Sequence, residues 1–239
     1  MRSTPLPDLL RLLRLLPPAD VPLARAATVR IIAADLEPPE LFDQVADGVD
    51  LDELVRIAAL TSPEVLHRAG TVSLVPLADR AYGPGAGWAM TAFTHPARPS
   101  RFTDGSYGVW YAAWELATSI AETAYHQARR LRESSEPAQP VLLEVLQADL
   151  AGMFRDVRAV PEPLYGAVHD PGDYAVAQAV GRHTREAGSD GVVYDSVRHA
   201  GGTCAAVFRP RVVRNARRVA RITYQWDGAR ITPGTPTPV

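Results

Sequence analysis

The chain opens with a leucine-rich stretch, Asp8-Leu-Leu-Arg-Leu-Leu-Arg-Leu-Leu16, in which Asp8, Arg11 and Arg14 interrupt the apolar run every third residue. Leu9, Leu10, Leu13 and Leu16 share one helical face with Leu12 and Leu15 beside it. That spacing predicts a short docking helix, stopped by Pro17-Pro18, that packs either on its own domain or on a partner. Thr28–Ile32 then reads as a short β-rich run with Arg30 among apolar neighbours. Asp50 and Glu53 form a capping box that predicts a helix to about Leu60, and Ser62-Pro63 starts a second helix ended by Gly70. Thr71–Leu77 reads as a strand, Tyr82-Gly-Pro-Gly-Ala-Gly87 as a glycine-rich loop, and 94–108 as a long polar connection. Two such loops in one domain point to a binding surface.

The second half is denser. A strand is expected at Gly108–Ala113, and a long helix from Glu115 to about Glu133 with small and apolar residues at 117, 120, 121 and 124. A strand follows at Val141–Gln147, then a helix from about Asp173 to Glu186 that Gly188 ends. Gly191–Ser196, Thr203–Phe208 and Arg218–Trp226 read as three more strands, and with no helix between them they favour antiparallel pairing. The fold class expected is α+β, a mixed, largely antiparallel sheet with flanking helices. The organisation expected is an N-terminal helical extension (1–27), one domain over 28–230 with a helical and loop insertion at about 33–100, and a frayed tail (231–239).

Composition narrows the chemistry. Of 239 residues, 46% are hydrophobic and 22% charged, which sustains a core and excludes wholesale disorder. All 25 basic residues are arginine, so phosphate loops built on lysine, pyridoxal Schiff bases and lysine general bases are excluded. A net charge of −2, with the arginines read as scattered, argues against direct nucleic-acid binding. The single cysteine, Cys204, precludes an internal disulfide or a thiolate cluster and reads as a small core residue. No segment approaches the roughly 18 to 20 apolar residues of a membrane span, and no cleavage site follows the leucine run. A cytoplasmic protein without membrane association is expected.

Several motifs fail on spacing. Gly83-Pro-Gly-Ala-Gly87 lacks the dinucleotide fingerprint, and the six histidines contain no HxxxH pair, so no metal site is expected. Asp195, Ser196 and His199 are too close along the chain for a hydrolase triad, and no GxSxG elbow exists. What survives is Arg101 ahead of a strand, Tyr111 within it, Glu122 on the next helix and Ser196 at a strand end. A guanidinium grips phosphate bidentately, an aromatic ring packs on a base or ribose, and a carboxylate steadies an oxocarbenium-like centre. Together these suit cleavage of a nucleotide's glycosidic bond.

The segments Ser100–Ala113, Ser119–His126 and Gly188–Pro210 resemble the RES domain, which typifies the toxins of RES–Xre toxin–antitoxin pairs. The resemblance runs from about Thr28 to Trp226 and puts the naming arginine, glutamate and serine on Arg101, Glu122 and Ser196 as catalytic residues. It implies that Arg30, Tyr111, Arg101 and Ser196 bind NAD+, with Arg56 as an alternative to Arg30 because 33–100 is long for the family. It further implies an ADP-ribosyltransferase-like fold and cleavage of NAD+ by phosphorolysis or hydrolysis. NAD+ is then substrate rather than cofactor, with inorganic phosphate as co-substrate. The alternatives are ADP-ribosylation of a protein from the same pocket and a non-enzymatic co-regulator. The partner implied is an Xre-type helix-turn-helix antitoxin, with homo-oligomers in the complex.

Overall fold

The structure, a computed structural model, describes residues 6–34, 42–43, 57, 67–95 and 98–239. Its spine is strand β3 (Gln139–Asp156), with β1 (Val21–Ala33) antiparallel along one edge from Val21↔Phe154 to Ala33↔Leu143. The other edge is shared. Strand β6 (Val213–Trp226) takes it from Gln139 to Leu150, and β4 (Gly191–Asp195) joins in parallel at Phe154–Asp156. Strand β5 (Thr203–Val207) pairs antiparallel with both β4 and β2 (Trp110–Ala113). Strand β2 returns to β1 through one pair, Val29↔Ala113, so β1, β2, β5, β4 and β3 close a ring. The architecture is α+β with a mixed, mostly antiparallel sheet, as the strand pattern predicts.

Helices cover both faces. Helix α1 (Leu6–Leu13) and the leucines after it pack on α5 (Ala175–Glu186), where Leu9, Leu12, Leu13 and Leu15 meet Val176 and Val180. The leucine-rich helix therefore docks on its own domain. Helix α2 (Ala86–Thr94) lies over β6, in a core with Leu146, Leu150, Phe154 and Val213. On the opposite face α3 (Leu116–Glu133) sets Ile120 and Ala124 against Val29, Ile31, Val145 and Tyr224. Arg130 and Arg132 in its last turn complement the helix dipole. A one-turn helix, α4 (Leu164–Val168), precedes α5.

Three expectations change. Strand β1 begins at Val21 rather than Thr28, so the last seven residues of the expected N-terminal extension are sheet. Residues 21–27 are mostly exposed and lack alternation, and backbone pairing with β3 carries them instead. Thr71–Leu77 forms 3₁₀ turns at Val72–Leu74 and Leu77–Asp79, separated by Pro76, which has no N–H for a ladder. The tail forms β7 (Ile231–Pro233) and β8 (Thr237–Pro238), both on β6, whose outer edge offers free backbone groups. The helix expected over 50–60, apart from Ile57, lies outside the described residues, as do Arg56 and the start of the second helix. His67–Ala69 is helical, and Gly70 (φ +67) ends that turn as expected.

Candidate functional site

Helix α3 follows β2 after two residues, and its Ser119, Glu122, Thr123 and His126 recur at one-turn spacing on one face. That face roofs a cavity of about 290 Å³ whose floor is Val29, Ile31, Ala112 and Ala113. The cavity opens where β1 and β2, paired only at Val29↔Ala113, run without further backbone bonds. Arg30 fills this lapse: its Nη1 donates to the Tyr111 carbonyl at 3.1 Å and its guanidinium lies 4.7 Å from the Trp110 ring centroid. Burial pushes Arg30 down to about 10, so it stays cationic at neutral pH.

Arg101 enters from the loop before β2 and is buried. Its Nη1 donates to the carbonyls of Val168 (2.9 Å) and Asp170 (2.8 Å), and Tyr174 lies under the guanidinium at 4.6 Å. Tyr111 holds that loop: its hydroxyl bonds Ser100 Oγ at 2.8 Å and accepts the Phe102 N–H at 3.0 Å. Burial raises the phenol, so Tyr111 acts as a neutral strut whose ring also lines the cavity. Gly181 lets α5 press against the same loop, because a Cβ there would collide with the Phe102 carbonyl. Among the described residues no carboxylate pairs with Arg30 or Arg101.

Glu122 faces these cations across the cavity, its side chain 19% exposed. Ser196 stands behind it rather than on the wall. The Ser196 hydroxyl donates to Glu122 Oε1 at 2.6 Å and accepts the N–H groups of Arg198 (3.2 Å) and His199 (3.1 Å). The serine hydrogen is thereby aimed at the carboxylate, and one Glu122 oxygen is left for the cavity. The structure thus brings Arg30, Arg101, Tyr111 and Glu122 to one cavity, with Ser196 orienting Glu122. Cys204 lies in the same wall, but burial pushes its thiol up to about 12, which leaves it inert as a nucleophile.

Sequence reasoning missed His126, whose Nε2 stands 4.0 Å from Glu122 Oε2 at the cavity mouth. The signal was its position four residues after Glu122 on a helix. Partial burial pushes this imidazole below its usual range, opposed by Glu122. No group of three or more His, Cys, Asp or Glu among the described residues could hold a metal ion. No described helix is long and apolar enough to cross a membrane. A larger cavity, about 390 Å³, lies between Thr71–Asp79, Tyr107 and Phe208 and contains none of the five residues above. Its one arginine, Arg185, is stacked on Tyr107.

Comparison with known proteins adds three findings. A chain of the crystal structure of the M. tuberculosis MbcT–MbcA toxin–antitoxin complex aligns at a TM-score of 0.46 and 13% identity, over 92% of this chain and 93% of that one. The uncharacterized protein y4oC of Sinorhizobium fredii is 24% identical over 207 residues, 85% of this chain and 84% of the relative. The family model described as RES domain matches residues 77–227. That span takes in Arg101, Tyr111, Glu122 and Ser196, while Arg30 on β1 lies before it. Since the match runs from just before the glycine-rich loop to just past the end of β6, well over half of its length, the chain belongs to the RES domain family.

Proposed function

We propose that this protein is the toxin of a toxin–antitoxin pair and depletes NAD+ by breaking its nicotinamide–ribose bond. The observation that carries this reading is two guanidinium groups with no carboxylate partner among the described residues, Arg30 and Arg101, facing the Glu122 carboxylate across one cavity. Arginines held by neutral carbonyls keep their full charge for a ligand, which suits a diphosphate. The carboxylate opposite suits the positive charge that develops on ribose as nicotinamide leaves with the bonding pair. Water or inorganic phosphate then attacks the anomeric carbon and gives up its proton. Ser196 holds Glu122 in place, and Tyr111 holds the Arg101 loop and packs against the nicotinamide ribose.

An Xre-type antitoxin would act by covering this cavity. The test is the pure protein incubated with NAD+, the products read by phosphorus NMR in phosphate and in phosphate-free buffer. ADP-ribose 1″-phosphate in the first and ADP-ribose in the second are the expected products. Unchanged NAD+ in both would overturn the reading, and label transferred to protein only when lysate is added would replace it with protein ADP-ribosylation.

A further inference from the structure

Arg101 and Ser196 come from segments far apart in the chain, yet both rest on one buried histidine. His169 lies between Val168 and Asp170, whose carbonyls take the two bonds of Arg101 Nη1. Its own ring joins α4 to the end of β4: Nδ1 meets the Tyr165 carbonyl at 2.9 Å, and Nε2 meets the Asp195 backbone N–H at 3.2 Å. A carbonyl can only accept and a backbone N–H can only donate. The bonds therefore specify one species, the neutral ring with hydrogen on Nδ1 and a lone pair on Nε2. Asp195 immediately precedes Ser196, whose hydroxyl holds Glu122.

We propose that His169 is a positioning residue that keeps Arg101 and Ser196 in place only while its ring is neutral, so that protonation dismantles the site. The inference rests on the NAD+ reading for the identity of the substrate that is lost. A second ring proton would set N–H against the Asp195 N–H in a site that is 8% exposed, and the ring must then move. Movement of residue 169 shifts the two carbonyls that hold Arg101, and loss of the Asp195 bond removes one tie on the corner that carries Ser196, whose own N–H still donates to the Gly202 carbonyl at 2.8 Å. One protonation thus reaches both halves of the cavity.

Four polar or charged side chains among the described residues face the ring. From α4 and its lead-in come Tyr165, its ring centroid 4.2 Å away, and Glu162; from β4 comes Asp195, whose carboxylate accepts the Tyr165 hydroxyl at 3.0 Å; from the loop before β2 comes Arg101. Burial above all, and Arg101, oppose the cation, while the bond to the Tyr165 carbonyl, Asp195 and Glu162 favour it, so His169 titrates below the usual histidine range. Because the folded state favours the neutral ring, stability is intact above the ordinary histidine pKa and is lost as pH falls through the depressed one.

The test uses the full chain, labelled with ¹³C and ¹⁵N, titrated by NMR from pH 7.5 to 5 without substrate. The His169 ring should show the Nδ1–H tautomer at pH 7.5. On acidification the Asp195 and Ser196 amides and the Arg101 guanidinium should move with the His169 midpoint, and in His169→Gln, whose amide oxygen accepts where Nε2 does, they should stay still. In parallel, NAD+ turnover by wild type should fall about tenfold per pH unit below that midpoint, and His169→Gln should lose this acid limb. His126 titrates in the same cavity, so both profiles are also measured with His126→Gln present. The proposal is overturned if His169 takes up its proton while the Arg101 and Ser196 signals stay fixed, a result wild type gives even if the variant fails to fold. Coupled signals without any NAD+ turnover would instead sink the substrate reading and leave the coupling standing.

Discussion

The arginines on and just before β6 and those of the cavity are one residue type under opposite regimes. Six arginines lie between 209 and 221, a basic run that a reading of scattered arginines overlooks. Arg209 and Arg211 share Asp79 and Asp190 at 2.6 to 3.8 Å, and Arg218 and Arg221 converge on Glu144 at 3.2 and 3.1 Å. There the charge of these four arginines is directed at three carboxylates of the fold, Asp79, Asp190 and Glu144. In the cavity, Arg30 and Arg101 are held by carbonyls and aromatic faces, which fix geometry without cancelling charge. The nature of an arginine's partner, rather than its burial, separates an architectural cation from one available to a ligand.

The two sets of arginines respond oppositely to mutation, and the largest effect is expected on the architectural set. Asp190 is nearly buried and accepts the Met153 N–H at 2.8 Å as well as Arg211 at 2.6 Å. Asp190→Ala leaves Asp79 alone between the two arginines and orphans the Met153 N–H, and should cost about 3 kcal/mol in urea denaturation, with kcat for NAD+ unchanged. A stability loss under about 1 kcal/mol would mean that the network is ornamental.

Glu122→Gln should do the reverse. Turnover should drop about 10²- to 10³-fold with KM little changed, because the charge acts in the transition state. Its melt should stay within about 0.5 kcal/mol of wild type, since the amide oxygen still accepts from Ser196. Near-wild-type kcat would remove Glu122 from the mechanism.

Arg101→Lys comes next. An ammonium cannot bond two carbonyls and also present a planar donor pair, so KM for NAD+ should rise about tenfold and activity should not recover over Arg101→Ala. Rescue to within about threefold would show that charge alone suffices there. The smallest effect belongs to a third regime, the solvated pair Arg129–Glu133, with side chains 51% and 64% exposed. Glu133→Gln should shift stability by less than about 0.5 kcal/mol and leave kinetics untouched.

Where burial writes itself into spacing, the chain reads correctly. Helix α3 runs within one residue of expectation, and β4 and β5 appear as apolar runs because both their faces are covered. Strands β1, β3 and β6 read short because their ends are half-exposed and depend on pairing across more than a hundred residues for β1 and β3, a partner that local pattern cannot reveal. Thr71–Leu77 has β-branched residues but pairs with no strand among the described residues, so propensity yields to turns. In the site, Arg101, Tyr111, Glu122 and Ser196 stand in recognisable motifs. The service of Ser196 to Glu122, and of Tyr111 to the Arg101 loop, depends on rotamers and distances that spacing does not encode.

Gly181 carries a consequence for anyone engineering this chain. A glycine inside a helix invites replacement by alanine, a change commonly expected to raise thermal tolerance by roughly 0.5–1 kcal/mol. Here the added methyl would push the Phe102 carbonyl away, and Phe102 is the residue next to Arg101. The substitution that helix propensity recommends would therefore cost stability and disturb the working loop together, because the atoms it meets are main chain. In this protein one missing methyl group sets how closely a structural helix approaches a working loop.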